Sequence, residues 1–253
     1  MSTPVLWQFR GSHFNEKARW ALDWKGISHV RRSLLPGWHV PRVVSLTRQT
    51  KVPVLVGDGG EVVADSTRII ERLEALQPDP PLYPADPAER RRALELEDFF
   101  DEELGPHARR VFFFHALDHP DYVVALFANG ESPTVRRLYR MAFPLNRAVM
   151  RLAMRVDAPH AESSRRRVDT ALDRLEAELR PSGYLAGDTF TVADLTAAAL
   201  VSPLLMPQEF PYPWPPTPEP ITRWRESQLG RRAFGWAAEM YHRHRGRSAE
   251  VAT

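Results

Sequence analysis

Lys51-Val-Pro-Val-Leu-Val-Gly-Asp-Gly-Gly-Glu-Val-Val-Ala-Asp-Ser-Thr-Arg-Ile-Ile-Glu-Arg-Leu73 packs a strand, a tight turn, a second strand and a capped helix into one short stretch. Residues 54–56 and 61–64 are runs of β-formers. The Gly57-Asp58-Gly59-Gly60 link between them tolerates the positive φ that a hairpin requires. Asp65 and Ser66 supply N-cap oxygens, and Ile69, Ile70 and Leu73 recur on one helical face. Pro53 has no N–H to donate, so it belongs at a strand start, an edge or a bulge. The backbone beside it is left free to pair with something else, and a ligand is one candidate.

Outward from this stretch, 253 residues allow one large domain or two small ones. A chain 43% apolar and 26% charged reads as an ordinary soluble globular protein. It has no cysteine, which excludes disulfides, thiolate metal sites and a cysteine nucleophile, and no metal is expected. No run approaches the roughly 20 apolar residues of a membrane span, and the start lacks a basic segment leading into a long apolar core. A cytoplasmic location without an integral membrane segment is the expectation. A net charge of +2 is too small to argue for nucleic acid as partner.

The sequence Pro78-Asp-Pro-Pro-Leu-Tyr-Pro-Ala-Asp-Pro87 is the clearest break, because neither a helix interior nor a strand interior tolerates that proline density. It sets residues 1–77, of mixed strand and helix pattern, apart from residues 88–253, which read mostly helical. Before it, residues 5–9 read as a buried strand, 15–25 as a helix stopped by Gly26, and 30–34 as a weaker strand. After it, residues 88–104 and 165–179 are helical. Thr191 and Asp194 then open a helix over 193–200 whose small side chains suit the centre of a bundle. Residues 203–220 hold eight prolines and read as a long ordered loop.

These pieces, in this order, resemble the cytosolic glutathione transferase superfamily, and the resemblance covers nearly the whole chain. It rests on Lys51-Val-Pro-Val-Leu, Asp65-Ser66, the Thr191-Val-Ala-Asp194 helix start and Ser12-His-Phe-Asn-Glu-Lys-Ala-Arg19. The last looks like the turn that carries the catalytic residue in omega-, zeta- and theta-like classes. The fold implied is an α/β thioredoxin-like N-terminal domain (1–77), a proline-rich linker (78–87) and an all-α helical C-terminal domain (88–253) that binds the electrophile. The cosubstrate implied is glutathione, and such proteins are usually homodimers.

Carried over residue by residue, the resemblance makes Ser12 the catalytic partner of the sulfur. Val52, ahead of a proline (Pro53) that is cis in the family, becomes the backbone clamp, and Asp65 and Ser66 the anchor of the γ-glutamyl end. Phe14 and Lys51 join the glutathione site, and His39 lies where relatives place a basic contact to the glycine carboxylate, with Lys51 and Arg42 as rivals. Physics favours the same roles. An acid beside a helix N-terminus suits a ligand end carrying both an ammonium and a carboxylate. A hydroxyl bonded to a thiolate would increase the anionic fraction of a thiol whose free pKa is near ~8.5.

The chain also departs from the family pattern. His13 replaces the proline that usually follows the catalytic residue, and Asp65 is one methylene shorter than the usual Glu or Gln. Ser12 stands where omega-like relatives carry cysteine, which removes thiol–disulfide chemistry on the enzyme. Plainer readings stand beside the functional ones: Asp65 and Ser66 as a helix cap, Ser12 as another, and His13 as an exposed turn residue rather than a substrate contact. Phe112, Phe113, Phe114 and His115 are candidate lining for an apolar acceptor.

Residues 132–156 carry six arginines and no acid, interleaved with apolar side chains and interrupted by Pro144. The plain expectation is a helix pair with an apolar inner and an arginine outer face. The alternatives are an anion-attracting wall near the second-substrate pocket and a lipid-facing amphipathic surface. The reading that joins these observations is a glutathione transferase-like enzyme whose Ser12 activates the thiol for attack on an apolar electrophile. A glutathione-assisted isomerase or elimination enzyme, and a non-catalytic binding protein on the same fold, remain alternatives.

Overall fold

The computed structural model describes residues 3–252. Its first part alternates β1 (Val5–Gln8), α1 (His13–Trp24), β2 (Val30–Ser33), α2 (Val40–Thr47), β3 (Val54–Val56), β4 (Val62–Ala64) and α3 (Ser66–Leu76). The strands form one sheet in the order β2-β1-β3-β4. β1 and β2 are parallel because α1 carries the chain back across the sheet, whereas the glycine-rich turn folds β4 antiparallel onto β3. Gly26, at φ +62°, follows α1 as its stop.

The expected strands are all present. The short helix α2 was not anticipated: its Val-Pro-Arg-Val-Val-Ser-Leu-Thr sequence favours strand by composition, and Pro41 in its first turn is the one local helix signal. Proline is tolerated there because a first-turn N–H has no intrahelical partner to lose.

The rest of the described chain is mostly helical. α4 (Pro87–Phe99) runs through a π-helical turn at Phe100–Leu104 into α5 (Gly105–Ala116), followed by α6 (Pro120–Ala128), α7 (Pro133–Met154) and α8 (Ala158–Glu178). α9 (Val192–Leu205), α10 (Glu219–Glu226) and α11 (Arg232–His244) complete the order. Every residue of α9 is buried, as its small side chains require of a helix whose neighbours approach on all sides. Its start is the anticipated capping box. Asp194 accepts from the Thr191 N–H at 2.9 Å, the Thr191 hydroxyl at 2.8 Å and the Leu185 N–H at 2.8 Å. The proline-rich stretch differs from expectation at both ends: Pro203 lies inside α9 and Glu219 opens α10.

Two apolar cores result. The larger joins the sheet, α1 and α3 to α4, α8, α9 and α11; the smaller lies among Leu35, α5, α6 and α7. α7 corrects two expectations. It is one continuous helix through Pro144, whose ring sits on the exposed side, where water can reach the carbonyl left without an N–H partner. Its inward face is narrow (Tyr139, Phe143 and Asn146), while Leu138, Met141, Leu145, Val149 and Leu152 point outward.

A buried chain of alternating charges ties α1 to residues far along the sequence. Arg31 and Arg245 both grip Asp23, at 2.6 and 2.8 Å, and Arg245 and Arg19 both grip Glu16, at 2.6 and 2.7 Å. Lys17, fully buried, pairs with Glu97 and Asp101 of the helical part at 2.8 and 2.5 Å.

Candidate functional site

Sheet register brings the candidate site pieces of the first part to one end of the sheet. Trp7 pairs with Val54 and Val54 with Ala64, so the turn after β1, the Val52–Pro53 step and the Asp65–Ser66 step are neighbours. The Asp65 N–H donates to the Pro53 carbonyl at 3.3 Å, fastening the last two together.

At the turn, Ser12 is the N-cap of α1. Its Oγ accepts from the Asn15 N–H at 3.4 Å and from Asn15 Nδ2 at 2.8 Å. A hydroxyl has two acceptor positions and one proton to give. With Asn15 donating to both acceptor positions, the serine proton remains as a donor. Asn15 is itself held by accepting from the Phe9 N–H through Oδ1 at 2.7 Å. Arg19 reaches under the turn, donating to the carbonyls of Phe9 and Ser12 at 3.2 Å each.

His13 is buried, and its Nε2–H donates to the Gly105 carbonyl at 3.0 Å. Burial, reinforced by the nearby Arg109 guanidinium, pushes its pKa down to about 3, so the ring is neutral. Phe14 packs its ring on Gly105, where an added Cβ would lie 2.5 Å from Phe14 Cζ. The turn thus faces the start of α5 immediately after the π-helical segment, an irregularity that recurs at functional sites. Arg109 lies 5.9 Å from the Phe14 ring and makes no ion pair among the described residues.

Val52 precedes a cis peptide bond to Pro53, and neither its N–H nor its carbonyl has a backbone partner among the described residues. Asp65 caps α3 through one oxygen, which accepts from the amides of Thr67 at 3.0 Å and Arg68 at 3.5 Å. Its φ of +85° is unusual for a residue with a side chain. Such a conformation costs of order 1–3 kcal/mol and clusters at ligand clamps. Ser66 is buried, and its hydroxyl has no hydrogen-bond partner among the described residues.

His39 is placed differently from a carboxylate contact. Its Nδ1 accepts from the Gly37 N–H at 3.1 Å and its Nε2–H donates to the Thr50 carbonyl at 2.9 Å. Burial also holds its pKa below the ordinary histidine value, so the ring staples two loops as a neutral group. Lys51 is exposed at the same end, and Arg42 stacks over Trp7 at 4.2 Å.

The candidate lining of α5 divides. Phe113 stacks on Phe127, which meets Phe9 at the turn at 6.0 Å. Phe112 faces Tyr122 instead, inside the smaller core. His115 accepts from Arg165 at 2.8 Å and stacks near Trp224, on the side away from Phe9; burial and Arg165 lower its pKa to about 4.

Asn15 entered the sequence reading only as a fallback to Ser12, and three further residues of the site were not singled out. Asn15 carried a signal, standing three residues after an N-cap serine. Arg19, Arg109 and Tyr212 carried none, because their roles depend on tertiary placement. Tyr212, from the proline-rich loop, receives a 2.5 Å hydrogen bond from Gln8, and Arg10 lies 4.9 Å over its ring, so this loop closes one side of the turn.

Known proteins share this fold. Residues 6–81 match the glutathione S-transferase N-terminal domain and residues 158–227 the C-terminal domain, together more than half of the chain. A probable maleylacetoacetate isomerase of Caenorhabditis elegans is 34% identical over 95 residues, 37% of this chain and only 44% of that protein. FtsZ-localized protein A of Caulobacter vibrioides is 25% identical over 191 residues, 74% of this chain and 71% of that one. In fold, the chain is similar to a glutathione S-transferase from Methylobacterium radiotolerans solved with glutathione sulfonate. The TM-score is 0.56 and the identity 22%, over 94% of this chain and 95% of that one. With both domains matched in order, and a mixed four-stranded sheet joined to a helical bundle, the chain belongs to the glutathione S-transferase superfamily.

Proposed function

We propose that this protein binds glutathione at the end of the sheet and lowers the thiol pKa through Ser12, for attack on an apolar electrophile. Residues 1–77 would hold the thiol peptide and residues 88–253 the acceptor, with 78–87 as linker. The observation that carries the reading is the Ser12–Asn15 pair, which leaves the serine proton free to be donated. Three further features fit the ligand: the unpaired backbone of Val52, the unbonded Ser66 hydroxyl and the Asp65 carboxylate at a helix N-terminus. Lys51 and Arg42 are the cations left for the glycine carboxylate once His39 is committed to its loops.

Glutathione supplies the nucleophilic sulfur; the chain supplies position and a proton donor. A charged hydrogen bond is worth roughly 1.5–3 kcal/mol, or about one to two pKa units at ~1.36 kcal/mol per unit. The α1 N-terminus adds to this. The test is glutathione binding by calorimetry together with turnover of a conjugation substrate by the wild type and by Ser12→Ala. Binding with Ser12-dependent turnover supports the proposal; absence of binding removes it.

A second reading is a binding protein without turnover. It is favoured by the closeness of α6 to the turn: a Cβ on Gly11 would lie 2.5 Å from Leu126 Cγ, and Phe127 covers Phe9. Glutathione binding without conjugation, isomerisation or elimination would select it.

A further inference from the structure

The strongest feature outside this site is the outer face of α7. Leu138, Met141, Leu145, Val149 and Leu152 follow one another at three- and four-residue steps and so form a single stripe. At ~1.5 Å per residue it is about 21 Å long. Met141, Leu145 and Leu152 are 70%, 71% and 83% exposed, far beyond the scattered apolar residue that any surface carries. No described element covers them.

Further exposed apolar residues lie on the segment packed beside α7. Tyr139, on the inward side of α7, donates to the Pro36 carbonyl and meets the Trp38 ring edge-on at 5.5 Å. Trp38, Val40 and Val44 are exposed, which places apolar surface on the loop before α2 and on α2 itself.

Charge decides what this surface suits. The two segments that meet there, 24–57 and 132–156, contain no acidic residue. Within α7, Arg140 is paired to Asp121, and Arg147 and Arg151 to Asp118. Arg136, Arg137 and Arg155 are exposed and have no carboxylate partner among the described residues. Arg137 lies one turn before Met141 and Arg155 three residues after Leu152, bordering the stripe. Arg42, Arg48 and Lys51 add positive charge on the α2 side. Packing two copies through α7 would set arginines against arginines with no acid on either helix. An anionic lipid surface meets both requirements at once: acyl chains take the apolar stripe, headgroups take the arginines, and Trp38 suits the boundary between them.

We propose that α7, with the adjoining loop and α2, docks this protein on an anionic lipid bilayer, α7 lying in the plane of the interface. The test uses the whole protein with vesicles of phosphatidylcholine containing 30% phosphatidylserine, and of phosphatidylcholine alone. The expected result is co-sedimentation with the anionic vesicles that is weakened at least tenfold on the neutral ones, and also by 0.5 M salt. Met141→Glu/Leu145→Glu is expected to abolish sedimentation with an unchanged circular dichroism spectrum, because both side chains are exposed. Arg136→Gln/Arg137→Gln is expected to lose the salt-sensitive part. No sedimentation of the wild type with anionic vesicles, or equal sedimentation of the glutamate variant, overturns the proposal. If the glutamate variant instead turns a dimer into a monomer and neither protein binds vesicles, the face belongs to a second copy.

Discussion

Asn15 donates twice to Ser12 Oγ while its own Oδ1 is fixed by the Phe9 amide, so one side chain sets both the position and the donor direction of the serine. Ser12→Ala is expected to lower kcat/KM with glutathione about 10- to 100-fold, from the ~1.5–3 kcal/mol of a charged hydrogen bond. Asn15→Ala keeps the hydroxyl but frees it to rotate, and is expected to lose about tenfold. Ultraviolet titration of the bound thiol reads both: the thiolate pKa should rise by roughly one to two units in Ser12→Ala and less in Asn15→Ala.

Asp65 combines a strained backbone with a helix cap, and the two can be separated. Asp65→Ala loses the cap and keeps the strain, so it should destabilise by about 1 kcal/mol. Asp65→Gly gives up only a few tenths of the cap and some chain entropy while relieving ~1–3 kcal/mol of strain. It should be at least as stable as the wild type in urea. Both variants are expected to bind glutathione at least tenfold more weakly. A glycine variant less stable than the alanine variant would refute the strain argument.

His13 makes stability depend on pH. Its folded pKa, about 3, lies below the unfolded value of about 6.5, so between these values the unfolded chain binds more protons. Stability from this group is therefore complete above about pH 6.5 and declines as pH falls toward 3, by at most about 1.4 kcal/mol per pH unit. Urea midpoints from pH 7.5 to 4.5 should fall less steeply for His13→Gln than for the wild type. Parallel slopes would remove His13 from the acid response.

Lys17 is a buried cation shared by Glu97 and Asp101, and it also donates to Thr67 Oγ1 at 2.8 Å. Lys17→Met leaves two carboxylates uncompensated and is expected to cost about 3–5 kcal/mol in urea unfolding. Because Thr67 follows Ser66, glutathione affinity should fall in the same variant. Restoring stability with Lys17→Met/Glu97→Gln/Asp101→Asn would show that uncompensated charge is the cause.

Much of the fold was legible because its signals are local. Turn glycines, the Asp65 and Thr191 caps and the proline cluster each act within a few residues. α2 was not, since Val40, Val43 and Val44 speak for strand, Pro41 is a weak helix signal, and the burial of Val43 depends on tertiary packing. For α7, the expected helix pair with its apolar side inward failed because the pattern shows neither that the helix continues through Pro144 nor which apolar line packs: Tyr139 and Phe143 form a second line as plausible as the exposed one. At the site, positions set by strand register could be read from the sequence. His39 could not, because its commitment to Gly37 and Thr50 depends on loops that meet only in three dimensions.

The charge chain along α1 bears on the order in which the molecule can mature. Glu16 and Asp23 sit in the half that leaves the ribosome first, yet Arg245, which neutralises both, is made more than two hundred residues later. Until it arrives, Glu16 has only Arg19 and Asp23 only Arg31 as ion-pair partners along the helix that Ser12 caps, and burying carboxylates with part of their compensation missing is costly. The earliest-made half is then the last to close, and Arg245→Met should leave it open to proteolysis while the helical bundle stays protected. Where the usual expectation is that N-terminal units finish folding first during synthesis, closure of α1 onto the sheet in this chain would wait for the synthesis of Arg245.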